Sequence, residues 1–362
     1  MWQRWLMKRV IDKSSVRFLE YYCLYSRNKN AVCTSCIDIC PTKAIILEEG
    51  KITFDQNSCN DCNLCIHHCP TDALYLEKET LQQYEKKIIT RDSVCFTCEK
   101  QEHSRDDIII PCLSSLSPEL VLIALMQKKS VQIFSEPAIC QKCTLNYNVE
   151  KSISWLQEID YIAYGDVHII NDSYEKSGKK RPITRRELFS LSKTKAKDEV
   201  GSLLLDSFDL KLTVKNKIPL PERRKYLAEF IIREKGERYL SIHLAEGLNL
   251  TRVKVDEECD LCGRCTQLCP TGALNLSDEN DHLTLTYQAI QCINCEICSN
   301  NCSYIERSTE TCLCRSVISP RKIKSSSVKS CPRCNGDIPN HLELCKDCFD
   351  IQKKQNELFS NW

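Results

Sequence analysis

Two runs of four cysteines with identical spacing, one in each half of the chain, constrain this protein more than any other feature of its sequence. The first is Cys59, Cys62, Cys65 and Cys69 followed by Pro70; the second is Cys259, Cys262, Cys265 and Cys269 followed by Pro270. Both read C-x2-C-x2-C-x3-C-P, the spacing at which three thiolates grip one [4Fe–4S] cube and the fourth reaches a second. The chain holds 27 cysteines in 362 residues, so a disulfide framework is the competing explanation. The total is odd, and the length suffices for two or three apolar cores. Residues 1–10 place Arg4, Lys8 and Arg9 around Trp2, Trp5 and Leu6, with no apolar stretch of the secretory kind. No segment approaches the roughly 18 apolar residues of a membrane span. A reducing cytoplasm is the expected setting, with thiolates kept for metal. With 50 basic and 49 acidic residues the net charge is +1, which singles out neither nucleic acid nor membrane as partner.

Each complete run has a companion. Downstream of the second lie Cys292, Cys295, Cys298 and Cys302, again C-x2-C-x2-C-x3-C, with Ser303 in place of the proline. The alternating residues 282–287 between them read as a strand. Upstream of the first lie only Cys33, Cys36 and Cys40 with Pro41, and Asn30 stands where the first cysteine is expected. Lys51, Ile52, Thr53 and Phe54 form the matching strand-like segment, and Pro-Thr-x-Ala-Leu tails follow at residues 70–74 and 270–274.

These residues resemble the bacterial two-cluster ferredoxin domain, over residues 250–310 and again over 22–78. The resemblance implies a pseudo-symmetric fold of short hairpins and short helices around two cubes, with ligands swapped between the motifs. Cys259, Cys262, Cys265 and Cys302 would then hold one cube, and Cys292, Cys295, Cys298 and Cys269 the other. In the N-terminal copy, Cys59, Cys62, Cys65 and Cys40 would hold one cube. Cys33, Cys36 and Cys69 would hold the other, completed by Cys23 across the short polar residues 26–30, or left as a three-iron species beside Asn30. Paired zinc sites are the alternative, but zinc motifs pair two C-x2-C knuckles across a gap instead of running three cysteines at intervals of three.

Residues 95–143 carry another constellation: Cys95, Cys98, Cys112, Cys140 and Cys143. A short apolar strand at 107–111, an amphipathic helix at 117–128 with Ser117 as N-cap and Pro118 at its first position, and a second strand at 131–134 suggest a parallel pair with a crossover helix. Cysteines at both strand ends would converge on one edge. The order is similar to the delta subunit of methyl-viologen-reducing hydrogenases, an iron–sulfur module, through Cys112, the helix start at residues 113–118 and the terminal C-x2-C. It lacks that family's glycine-rich pattern, so cluster type does not carry over. Four of the five thiols could hold a [2Fe–2S] or [4Fe–4S] cluster, or Cys95, Cys98, Cys140 and Cys143 a structural zinc; a redox-active dithiol is the remaining option.

Residues 174–200 hold nine basic residues against four acidic ones, including Arg185 and Arg186. They read as a solvated linker, or as a docking patch for an acidic electron-transfer partner. Pro221 opens a helix to about residue 234, with Tyr226, Leu227, Phe230 and Ile231 on one face, expected to pack on a ferredoxin-like domain. After a Ser/Lys-rich stretch, Cys331, Cys334, Cys345 and Cys348 form two knuckles ten residues apart. This is a zinc-ribbon signature, with Gly336 at the expected turn and a rubredoxin-like iron as alternative. Cys312 and Cys314 carry no assignment.

The expected architecture is α+β: an amphipathic segment (1–21), a ferredoxin-like domain (22–90), an α/β cysteine-containing module (91–172), a basic linker and helix (173–240), a second ferredoxin-like domain (241–310), and a linker with a zinc-ribbon-like tail (311–362). No phosphate-cradling loop, dinucleotide fingerprint or nucleophile–base arrangement is visible, so no nucleotide or flavin site is expected. The expected role is a non-catalytic electron-transfer subunit relaying electrons through four [4Fe–4S] clusters between redox enzymes. The alternatives are an accessory protein that matures a metalloenzyme, and a redox-sensing nucleic-acid-binding protein.

Overall fold

The computed structural model describes residues 16–27, 33–48, 51–76, 80–143, 145, 153–156, 167–170, 217–233, 238–240, 242–279, 282–340 and 342–360. The protein is mixed α+β, and its chain divides into two compact units. Residues 1–211, 220–248 and 311–313 belong to the first, and 212–219, 249–310 and 314–362 to the second.

The first unit opens with a small cysteine-rich layer. Strand β1 (Val16–Phe18) leads into the short helices α1 (Leu24–Arg27) and α2 (Ser35–Asp38), and the hairpin β2 (Ile45–Glu48) and β3 (Lys51–Phe54) follows. Helix α3 (Leu64–His68) and strand β4 (Leu74–Leu76) complete the layer. β1 pairs antiparallel with β4, and β2 with β3. Two-stranded ribbons are marginal alone, so packing must hold them. The core here is Cys23, Ile45, Cys69, Ala73 and Leu74, with Cys36, Cys40 and Cys65 against it and the Phe18 and Phe54 rings 5.5 Å apart. Much of this interior is sulfur.

The same unit contains a parallel sheet. Helix α4 (Leu81–Ile89), whose Thr80 cap accepts the Gln83 N–H, leads to β5 (Ser93–Cys98) and β6 (Ile108–Ile110). Helix α5 (Pro118–Met126) then crosses to β7 (Ser130–Phe134), followed by α6 (Pro137–Lys142) and β8 (Val167–Ile170). The order is β6-β5-β7-β8, all parallel, so the crossover skips the intervening β5. The N-cap is as expected, since Ser117 Oγ accepts the Leu120 N–H. The helix is not amphipathic, however: every residue from Pro118 to Leu125 is buried, because α4 and helix α7 (Glu222–Arg233) pack on it. α7 therefore packs on α5, while its first turn reaches the cysteine-rich layer through Glu222 N–H to Asp72. Helix α8 (Ile242–Gly247) follows, and Arg238–Tyr239 pairs with Cys312–Leu313.

The second unit repeats the cysteine-rich layout. Strand β9 (Thr251–Val255) precedes helix α9 (Arg264–Leu268), and the hairpin β10 (Leu274–Glu279) and β11 (His282–Tyr287) follows. Helix α10 (Ile297–Asn300) leads to β12 (Ile305–Thr309), which pairs antiparallel with β9. The stretch expected as a linker is structured: α11 (Arg315–Ile318) is followed by the ten-residue strand β13 (Arg321–Ser330), which pairs with β11. Its serines suit an antiparallel neighbour, as Thr284 Oγ1 lies 3.1 Å from Ser325 Oγ. β14 (Asp337–Pro339) continues the sheet, and α12 (Lys346–Ser360) ends the described chain. Among the described residues no helix is long and apolar enough to cross a membrane.

Candidate metal centres

All 27 cysteines fall among the described residues and carry free thiols. In the second unit, Cys259, Cys262, Cys265 and Cys302 line one cavity of about 120 Å³. Cys269, Cys292, Cys295 and Cys298 line another, beside Arg307. In the first unit, Cys40, Cys59, Cys62 and Cys65 line a third. Cys23, Cys33, Cys36 and Cys69 lie near one another: burial first, and then negative charge on Cys69, Cys33 and Cys23, raises the Cys36 thiol to about 12. Burial acts likewise on Cys265 and Cys295, raised to about 12, and on Cys62 and Cys298, raised to about 11. Thiols packed this closely resist ionising together unless a cation neutralises them, and metal binding then releases their protons.

Local backbone geometry explains how three thiols from seven residues can share one cavity. In the run from Cys59, Asp61 and Asn63 are left-handed, with φ of 52° and 61°. Leu261 and Gly263 repeat this at 52° and 72°, and Asn294 and Glu296 at 58° and 60°. Asparagine, aspartate and glycine tolerate that region best. The resulting turns aim amides at sulfur: Leu64 N–H donates to Cys62, Leu261 to Cys259 and Ile297 to Cys295. Ser35 N–H does the same to Cys33, although Thr34 has φ −118°.

A third copy of the Cys-Pro-Thr tail escaped the sequence reading, at Cys40, Pro41 and Thr42. Thr42, Thr71 and Thr271 place their Oγ1 atoms 3.7, 3.5 and 3.7 Å from Cys40, Cys69 and Cys269 Sγ. The next residue is left-handed each time, Lys43, Asp72 and Gly272, and a buried alanine follows. Counting Cys-Pro-Thr triplets would have found these hydroxyls. Two cations were also missed. Arg223 donates to the His67 and Cys69 carbonyls in the first unit, and Lys217 to those of Thr266, Gln267 and Cys269 in the second.

The tail quartet is different in scale. The sulfurs of Cys331, Cys334, Cys345 and Cys348 all lie within 4.8 Å of one another. Four sulfurs about 2.3 Å from one tetrahedral ion would sit about 3.8 Å apart, so this group fits a single ion. Cys345 N–H donates to Cys331 Sγ at 3.5 Å, and with the amides of Arg333 and Cys334 it holds the Cys331 thiol down, to about 6. The knuckle turn is made by Asn335, at φ 58°, and not by Gly336, whose carbonyl accepts the Cys331 N–H instead.

Of the middle cysteines, Cys98, Cys112, Cys140 and Cys143 line a cavity of about 280 Å³ in the first unit. Cys95 is buried on β5 opposite Gln132 and is not among the cavity's lining residues. Cys314 is buried with its Sγ 2.9 Å from Ser316 Oγ, and Cys312 lies in the strand that pairs with Tyr239. Asn30, the basic residues 174–200 and residues 1–15 lie outside the described residues.

The 4Fe-4S dicluster domain family model matches residues 31–73 and 258–305. These are the regions in which the two cysteine-rich layouts repeat, and the first match begins after Cys23. No curated protein and no solved structure matches the chain. Fold and family match together define two regions of the ferredoxin-like 4Fe-4S class.

Proposed function

We propose that this chain is a non-catalytic electron-transfer subunit that passes single electrons between redox enzymes through four [4Fe–4S] clusters. The observation that carries the reading is the gathering of sixteen cysteines into four sets, each drawn from both halves of its domain. The proposed ligand sets are Cys23, Cys33, Cys36 and Cys69; Cys40, Cys59, Cys62 and Cys65; Cys259, Cys262, Cys265 and Cys302; and Cys269, Cys292, Cys295 and Cys298. The donor chemistry fits the group, with four sulfurs per site and amide N–H donors aimed at them. Bound clusters would supply one-electron chemistry. The chain's own residues would bury them and set their potentials through hydrogen bonds to sulfur and nearby charge. The tail quartet, with its closer sulfurs, is assigned to zinc.

The test is an anaerobic preparation of the full chain, with metal and sulfide counts and a redox titration followed by EPR. At least about 16 irons per chain are expected from four cubes. A colourless protein, or one holding zinc alone, would refute the reading. Cys23→Ala should remove one iron or one whole cluster; unchanged iron and unchanged EPR signals would reject Cys23 as a ligand.

A further inference from the structure

The parallel sheet of the first unit presents the C-terminal ends of β5, β6 and β7 on one edge, which is where open α/β sheets place their ligands. Cys98 ends β5, Cys112 follows β6 by two residues, and Cys140 and Cys143 lie on and just after α6, which follows β7. We propose that Cys98, Cys112, Cys140 and Cys143 hold a fifth iron–sulfur cluster, set beside the Cys62 ligand set across a shared cavity. The proposal extends the electron-transfer reading, and its test separates the two.

Three observations carry it. Asn60, Asp61 and Cys62 form part of the wall of the same cavity as the four thiols, so the site adjoins the knuckle that runs from Cys59 to Cys65. Donors point at its sulfurs as they do in the ferredoxin-like sets. Lys100 and Gln101 amides donate to Cys98, and the Ser114 amide to Cys112. Gln101 Nε2 donates to Cys140 Sγ at 3.4 Å, with Ser135 Oγ at 3.9 Å, and Gln101 is itself fixed by donating to the Glu136 carbonyl and accepting the Glu136 N–H. A buried glutamine held at both ends of its amide is a built support for a thiolate.

Spacing separates cluster from ion. Among the described residues, only the tail quartet has its sulfurs all within 4.8 Å. The middle quartet, like the four ferredoxin-like sets, does not draw its sulfurs within that limit but lines a cavity of about 280 Å³, which suits a multi-iron core better than a single tetrahedral ion.

The test uses the full chain purified without oxygen. Wild type should hold about two to four irons beyond the 16 of four cubes, and one zinc. Cys98→Ser and Cys143→Ser should each lose about two to four irons, while Cys95→Ser keeps the wild-type count. Should the variants fail to fold, alkylation of wild type read by mass spectrometry gives the same answer: the four thiols are protected until iron is chelated. About 16 irons with these four thiols alkylated in native protein would overturn the fifth site and leave four cubes standing. About 16 irons with two zincs would overturn its assignment to iron. Fewer than 16 irons, of which two to four still depend on Cys98, would support this site and sink the four-cube reading.

Discussion

Lys217 is the residue whose replacement tests the packing of the second unit most directly. Its ammonium has three N–H bonds, and each is spent on a carbonyl at the end of α9: Thr266 at 3.0 Å, Gln267 at 3.1 Å and Cys269 at 2.7 Å. Those are carbonyls a helix leaves unpaired at its negative end. Lys217→Met keeps the stem and removes all three donors. A hydrogen bond from a charged group is worth about 1.5–3 kcal/mol, but three to one ammonium overlap, and the Gln267 contact is exposed. The expected loss is therefore about 2–3 kcal/mol in total. In a unit of about 120 residues that corresponds to a fall in Tm of about 8–15 °C. Anaerobic melts followed by far-ultraviolet circular dichroism and by cluster absorption would measure it, with Lys217→Arg expected to retain most of the stability. A fall below about 3 °C for Lys217→Met would show that water replaces the ammonium at little cost.

Two further outcomes follow from other sites. If the tail quartet holds the proposed zinc, a chelator should expose residues 331–360 to proteolysis and leave β10 and β11 protected, because the buried core there is as small as Cys331, Ile338 and Cys348 with Leu342, Leu344 and Cys345 against it, and the metal would supply most of its folding free energy. A tail that stays protected after losing its metal would contradict this. Glu222 has its pKa raised from 4.5, first by burial and then by Asp72, against the opposing Leu81 N–H. The folded state thus keeps the proton to higher pH than the unfolded state, so this residue costs stability as pH rises from about 4.5 through the raised value. Glu222→Gln should melt higher than wild type by a margin that grows as pH rises above about 4.5 and levels off once Glu222 is ionised in the folded state; an equal or lower Tm at neutral pH would reject the argument.

The parts of this fold legible in the sequence are those fixed by short-range chemistry. Cysteine spacing marked both ferredoxin-like regions, the alternation of residues 282–287 marked β11, and Ser117 with Pro118 marked the start of α5. What was hidden depends on distant partners. β5 reads Ser-Val-Cys-Phe-Thr-Cys, and its cysteines drew attention as ligands, while its burial on both faces goes with a place as one of the two inner strands of the sheet. β13 is rich in lysine and serine, and pairing with β11 on one side and β14 on the other makes it a strand. α5 is buried on all sides, Glu119 included, so periodicity misjudged it as half-exposed. Among the middle thiols, sequence left five candidates; topology groups four of them and sets Cys95 apart, because Cys98, Cys112 and α6 all sit where parallel strands end.

The three complete knuckles and the incomplete one together indicate what the left-handed residues are for. Leu261 is the costly case, since a leucine at φ 52° forgoes about 1–2 kcal/mol. Burying its side chain, 3 % exposed, returns about 1.5–3 kcal/mol, so the strained turn is affordable where that leucine is covered. The amide-to-sulfur hydrogen bond does not itself demand the strain, because Ser35 makes it to Cys33 with Thr34 at φ −118°. Asn63, Gly263 and Glu296, at the position matching Thr34, are all left-handed, and each belongs to a run that has its first cysteine. Left-handed geometry therefore tracks the first cysteine of the run and not the hydrogen bond. In the run where Asn30 stands in the place of that cysteine, Thr34 is not left-handed, and charge on Cys23, from the segment preceding α1, is among the causes that raise the Cys33 and Cys36 thiols.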